Sequence, residues 1–358
     1  MPRDVLAGVS SLTVSGGDTG TANATVSFAS FENATGTVGN DTFTIDVGGS
    51  LSGTTGIDGN GGVDELRGGT GVDTFTTTGT DAGTLDNGTA TSFTDIDSLS
   101  GLGNSDVFTI ANPMSGTISG GAGGDAINLD TGGSATSLDG NTGSDTLTLP
   151  DATQTTTITS TGSGTLGAQA FTTVENLTGG SAADTIVLDA AGRLTGTTGV
   201  SGGGGTDTLT GGTGSDAFSI TNSDQGTVTN TAGATAFSAV EALAGGSGSD
   251  TFTFNNTGTL TSSVDGGLGS DTLVGDADGN AFGINGTDTG TLTGKTSGWS
   301  GIENLTGGSG VDTFAFGASG SLSGLADGAG GSSDTATFAA KTGPFRSRSA
   351  PGWPISNH

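Results

Sequence analysis

No cysteine and no tyrosine occur among the 358 residues, and the one histidine is the last residue, His358. These absences exclude thiol chemistry, a disulfide framework, histidine zinc sites and the usual serine triad. Positive charge is scarce as well: seven Lys and Arg stand against 36 Asp and Glu, a formal charge of −29. Between Asp4 and Ala340 the only cations are Arg67, Arg193 and Lys295. Such a surface does not neutralise phosphates, so it excludes a general nucleic-acid binder, and it disfavours anionic lipid. Apolar runs long enough to cross a bilayer are missing, which argues against membrane insertion. The N-terminal MPRDVLAGVSSLTVSGG has no apolar core of signal-peptide length. With Trp299 the only tryptophan in the body, a sugar-stacking cleft has little to build on. An enzyme is not expected.

What the chain has in excess is glycine, 73 residues, and aspartate at regular intervals. Sixteen positions fall on one ladder: Asp18, Asp41, Asp64, Asp81, Asp106, Asp125, Asp145, Gly162, Asp184, Asp207, Asp224, Asp250, Asp271, Asp288, Asp312 and Asp334. Their steps run from 17 to 26 residues and average 21, the range of a solenoid repeat. Glycine with Ser and Thr would otherwise suggest disorder, but single Phe, Leu, Ile and Val residues return in phase. A solenoid needs only such a thin inward line, because each coil buries itself against its neighbours.

A short strand follows each ladder position. In DTFT, DTLT and DTIV the apolar residue stands two places after the aspartate with polar neighbours, a period of two. In the GTL type it stands four places on. The predicted inward stack is Phe43, Leu66, Leu85, Phe108, Ile127, Leu147, Leu166, Ile186, Leu209, Val228, Phe252, Leu273, Leu292 and Phe314, with Ala22 and Ala336 at the ends. Glycine turns then reverse the chain. The predicted fold is all-β, a parallel β-solenoid (β-roll or β-helix) of about 16 coils of ~21 residues, with strands ~4.8 Å apart. It forms one domain over 1–340, in modules starting near 41, 106, 184, 250 and 312. Residues 341–358 break the pattern with three prolines and three cations, and are expected to be an irregular, disordered or non-native tail. The repeat is already running by Asp18, so the chain is expected to be part of a longer one.

The turns carry a resemblance. GGTGVDTFT at 68–76, GGAGGDAIN at 120–128, GGGGTDTLT at 202–210 and GGTGSDAFS at 211–219 fit the nonapeptide GGxGxDxUx. So do GGSGSDTFT at 245–253, GGLGSDTLV at 266–274 and GGSGVDTFA at 307–315. The chain thus resembles the RTX, or haemolysin-type, calcium-binding repeat proteins, and more broadly bacterial β-solenoid surface proteins and adhesins. The resemblance implies a β-roll with Ca²⁺ held by turn carbonyls and by Asp73, Asp125, Asp207, Asp216, Asp250, Asp271 and Asp312. A hard cation taking six to eight oxygens suits such turns. Unlike the family, only 59–76 and 202–219 run back to back. One edge is therefore expected to hold the acids, the other only near Asp73 and Asp216, and the coil at Gly162 should hold metal least well.

Other readings stand beside this one. Asp and Gly serve turns for local reasons, so a metal-free structural solenoid is open. Thr brackets the inward residue in many strands, which admits an ice- or glycan-binding face; Thr is also simply a good strand residue. The boundary acids Glu32, Asp97, Glu175, Glu241 and Glu303, each nine residues before a ladder aspartate, read as solvated strand positions. GTLTGKT at 290–296 lacks the first glycine of a phosphate loop and has no helix to follow. The expectation is a secreted, extracellular or cell-surface repeat protein, a stalk or adhesin region with calcium ions as partners. A host-cell, matrix or glycan ligand would be a second partner.

Overall fold

A computed structural model describes residues 5–331 and 333–339. The expected tail at 341–358 lies outside the described residues. Every regular element among the described residues is a β-strand, and most strands pair in parallel along two stacked sheets, so the fold is a parallel β-solenoid. The described residues divide into two compact units, the first running to 154 and including 162–180, the second made of 155–161 and the residues from 181 on.

In the first unit one sheet stacks Thr42–Ile45, Glu65–Arg67, Ser98–Ser100, Thr117–Gly123, Ser137–Gly143 and Gln169–Thr172 in parallel. The other carries Val107–Ile110, Ala126–Leu129, Thr146–Thr148 and Asn176–Thr178, again parallel. In the second unit Thr185–Leu188, Thr208–Gly211, Ala242–Ala244 and Ser263–Asp265 form one such run. Thr251–Phe254, Thr272–Val274, Asn304–Gly308 and Ala326–Ala329 form the other. All fourteen large residues of the predicted inward stack are buried at 8% exposure or less. They are shared between the two sheets of each unit instead of forming one file.

The ladder positions are not all alike. Asp18, Asp81, Gly162, Asp224 and Asp288 are not coil turns. Four of them are aspartates with φ of 50° to 53°, and Gly162 has φ 66°. Each lies at the turn between two consecutive strands. Thr74–Gly79, Ala82–Asp86 and Ala90–Thr94 run as an antiparallel meander through Asp81, and Ala217–Asn222, Gln225–Asn230 and Gly233–Ser238 do so through Asp224. Equivalent meanders cover Ser11–Gly16, Thr19–Ala22 and Val26–Ala29, and Ala281–Gly286, Thr289–Leu292 and Thr296–Ser300. Asp and Gly share these corners because both tolerate the left-handed backbone.

A local cause is readable in each meander. Gly20, Gly83, Gly164, Gly226 and Gly290 pair across the sheet with Phe28, Phe93, Phe171, Phe237 and Trp299. A methyl on Gly83 would stand 2.8 Å from the Phe93 ring, and one on Gly290 2.6 Å from the Trp299 ring. Glycine there makes room for the aromatic of the third strand. The first strand of a meander then stacks on the next parallel rung, ring on ring: Phe75 on Phe108 at 4.8 Å, Phe218 on Phe252 at 4.8 Å, Phe282 on Phe314 at 4.9 Å.

Candidate functional site

The true coil turns gather their acids into columns. Asp73 donates its backbone N–H to Oδ1 of Asp106 at 2.7 Å, Asp106 to Asp125 at 2.7 Å, and Asp125 to Asp145 at 2.7 Å. Asp145 ends this file by donating to Oε2 of Glu175 at 2.9 Å. A second file in the same unit runs Asp41, Asp64, Asp97. In the other unit the files are Asp184, Asp207, Glu241; Asp216, Asp250, Asp271, Glu303; and Asn280, Asp312, Asp334. Each carboxylate below the head of its file therefore accepts the main-chain N–H of the rung before it, which ties neighbouring coils at their turns.

All seven residues implied by the resemblance stand in these files. The structure adds Asp41, Asp64, Asp106, Asp145 and Asp184, whose turns depart from the full nonapeptide. It also corrects two expectations. Asp73 and Asp216 do not lie on an edge apart from the ladder; each opens a column containing ladder acids. Both edges of the first unit carry acids, since the file at Asp41 precedes strands of one sheet and the file at Asp73 strands of the other. The boundary acids Asp97, Glu175, Glu241 and Glu303 are not merely solvated: each closes a column. The vacancy expected at Gly162 falls at a turn between strands, where its carbonyl oxygen accepts the N–H of Val174, the residue before Glu175.

The carboxylates of Asp41, Asp64, Asp73, Asp106, Asp125, Asp145, Asp184, Asp207, Asp216, Asp250, Asp271 and Asp312 are at most 2% exposed. In most of them one oxygen is used and the other is stranded, while Asp41 uses both on the N–H and hydroxyl of Thr37. Oδ2 of Asp64, Asp106, Asp125, Asp145, Asp207, Asp250, Asp271 and Asp312 is buried without a hydrogen-bond partner. At the column head Asp73 it is Oδ1 that has none, and at the head Asp216 neither oxygen has one, as no rung precedes to supply the N–H. Desolvation lifts the carboxyl pKa of Asp64, Asp73, Asp145, Asp207, Asp216 and Asp250 to about 6, and that of Asp106 to about 7. Asp125 and Asp271 are raised for the same reason.

The stranded oxygen has a fixed setting. Five residues before each acid stands a glycine whose Cα the carboxylate covers. A methyl on Gly101 would lie 2.1 Å from Oδ2 of Asp106 and 2.5 Å from the carbonyl oxygen of Gly120. The same pairing recurs at Gly36 with Asp41 and Gly59, at Gly211 with Asp216 and Gly245, and at Gly245 with Asp250 and Gly266. At Asp106, Asp216 and Asp250 an anionic oxygen and a carbonyl of the next rung thus converge with no hydrogen bond to that oxygen, whereas at Asp41 the N–H and hydroxyl of Thr37 supply one. That donor set suits a proton or a hard cation fed largely by carbonyls. Among the described residues no three acidic side chains converge on one point, so a cage made of carboxylates alone is not the form it would take.

The hairpin aspartates do something simpler. Oδ1 of Asp18, Asp81, Asp224 and Asp288 accepts the N–H of Ser52, Ser115, Thr261 and Ser323, each at 2.7 Å. They cap the next coil at the surface. No family model matches the chain, and no curated protein matches its sequence.

Proposed function

We propose that the chain is a non-enzymatic repeat segment of an extracellular protein, a structural stalk or adhesin region whose acid columns take up Ca²⁺. The observation that carries the reading is the repeated pairing of a buried, partnerless carboxylate oxygen with a glycine carbonyl of the following rung. Oδ2 of Asp106, Asp125, Asp216, Asp250 and Asp312 would hold the ions together with turn carbonyls, and Asp73, Asp207 and Asp271 would serve alike. Bound Ca²⁺ would supply the positive charge that the buried carboxylates lack and so bind rung to rung. The test is circular dichroism and melting through a Ca²⁺ titration with EGTA reversal. Strand content and melting temperature should rise with calcium and fall again with the chelator; indifference to both would leave the acids as turn residues.

A second reading rests on the outward faces. In the first unit Ser92, Thr84, Thr76, Thr109, Asn128, Thr148 and Thr178 lie in register on seven adjacent strands. This row supports a hydroxyl-rich face for ice or glycan. On the other sheet Glu65 and Arg67 interrupt the corresponding row with an ion pair. A thermal-hysteresis assay separates the two readings.

A further inference from the structure

The turn at 275–280 reads GDADGN, where the turns at 68–73 and 211–216 read GGTGVD and GGTGSD. All three open a column. The acid that heads the other two columns is here the amide Asn280, and an acid, Asp276, has appeared where they have their second glycine. The exchange changes the electrostatics of the turn. Asp73 and Asp216 bring a buried carboxylate with at least one partnerless oxygen. Asn280 brings its own donors: its Nδ2 reaches the carbonyl oxygen of Asp278 at 2.8 Å, that of Asp276 at 3.1 Å and Oδ1 of Asp312 at 3.2 Å.

The displaced acid is neutralised from within the chain. The side chain of Asp276 is 3% exposed and pairs directly with Nζ of Lys295, itself 13% exposed. The same ammonium donates to the carbonyl oxygens of Asn256 at 2.8 Å and Asn255 at 3.4 Å. Lys295 sits at the second corner of its meander, between Thr289–Leu292 and Thr296–Ser300. In the corresponding corners Asn87 and Asn230 reach the carbonyls of Asp46 and Asp189 with neutral amides. Here the position of the amide is Gly294, and Lys295, one place further on, reaches the facing turn that carries Asp276. The carboxylate and two carbonyls around Nζ form an oxygen set of the kind that receives a cation.

We propose that the turn at 275–280 is a self-neutralised cation turn, in which Lys295 supplies the charge that the turns at 68–73 and 211–216 take from a bound ion. This rests on the calcium reading for the other turns, but not for the role of Lys295 itself. A cavity of about 280 Å³, lined in part by Asn255, Asn256 and Asp276, opens beside the pair and gives a small ion access.

The test compares the full chain with Lys295→Met and with the double variant Lys295→Met/Asp276→Gly. Melting is followed in EGTA, in millimolar Ca²⁺ and in methylammonium, and Ca²⁺ stoichiometry is measured by equilibrium dialysis. Lys295→Met should melt about 5 °C lower in EGTA, since it strands a buried carboxylate. Ca²⁺ or methylammonium should recover most of that loss, and dialysis should show one more calcium than the parent. The double variant, which restores the glycine, should lose this extra ion response. A Lys295→Met protein that melts like the parent, or whose loss no cation recovers, overturns the proposal. If the parent binds no calcium while methylammonium still rescues Lys295→Met, the calcium reading of the other turns falls and the role of Lys295 stands.

Discussion

The backbone N–H of Asp106 points at Oδ1 of Asp125, 2.7 Å away on the next rung. That contact is the unit of the column, and it makes the aspartate part of the core instead of a surface ligand. Asp125→Ala should therefore destabilise by about 2 kcal/mol, the cost of a buried N–H left without its acceptor. Asp81→Gly, at a corner where glycine is at ease, should stay within about 1 kcal/mol. Denaturant melts of the two variants decide; equal losses would mean that columns and corners do not differ.

The glycine beneath each carboxylate makes a steric prediction. Gly101→Ala would press a methyl against Oδ2 of Asp106 at 2.1 Å, whereas a methyl on Gly17 meets nothing within 4 Å. Gly101→Ala should cost about 2–3 kcal/mol by overpacking, and Gly17→Ala should be close to neutral. Thermal melts of both report the difference.

Much of this is legible in the sequence, and the part that is not has a physical reason. The period-two strands and the inward residues from Phe43 to Phe314 follow from alternation, and all are buried. The hairpins were hidden because an aspartate at a left-handed corner and an aspartate in a coil turn recur at the same spacing. Two short signals separate them. Column acids such as Asp64, Asp125 and Asp250 have a glycine five places before; the corners at Asp18, Asp81, Gly162, Asp224 and Asp288 have one two places after. The boundary acids give no local signal because their partners, such as Asp145 for Glu175, lie about 30 residues away and only stacking brings them together.

Glu175 gives a prediction of its own. Its Oε2 takes the N–H of Asp145, so Glu175→Gln, which keeps an acceptor oxygen, should melt close to the parent. Glu175→Ala should lose about 1–2 kcal/mol. Hydrogen exchange at the Asp145 amide should quicken only in the alanine variant.

The raised carboxyl pKa values set an unusual pH response. In the unfolded chain these aspartates ionise near their ordinary 3.8, while burial holds the folded groups at about 6 to 7. The folded state thus prefers the protonated form. Stability from these groups is fully present below pH ~4 and is lost as pH rises through about 6 to 7. In EGTA the protein should melt higher at pH 5 than at pH 8. Calcium at pH 8 should recover the difference, because it replaces the proton as counter-charge. A melting temperature that climbs from pH 5 to 8 in EGTA would refute the buried, unpaired state of the columns.

The most direct measurement is calcium stoichiometry by equilibrium dialysis on the parent, Asp125→Asn and Asp81→Asn. The account predicts several ions per parent chain, fewer in Asp125→Asn, and an unchanged number in Asp81→Asn. A parent that binds none, or a loss equal at column and corner, would contradict it.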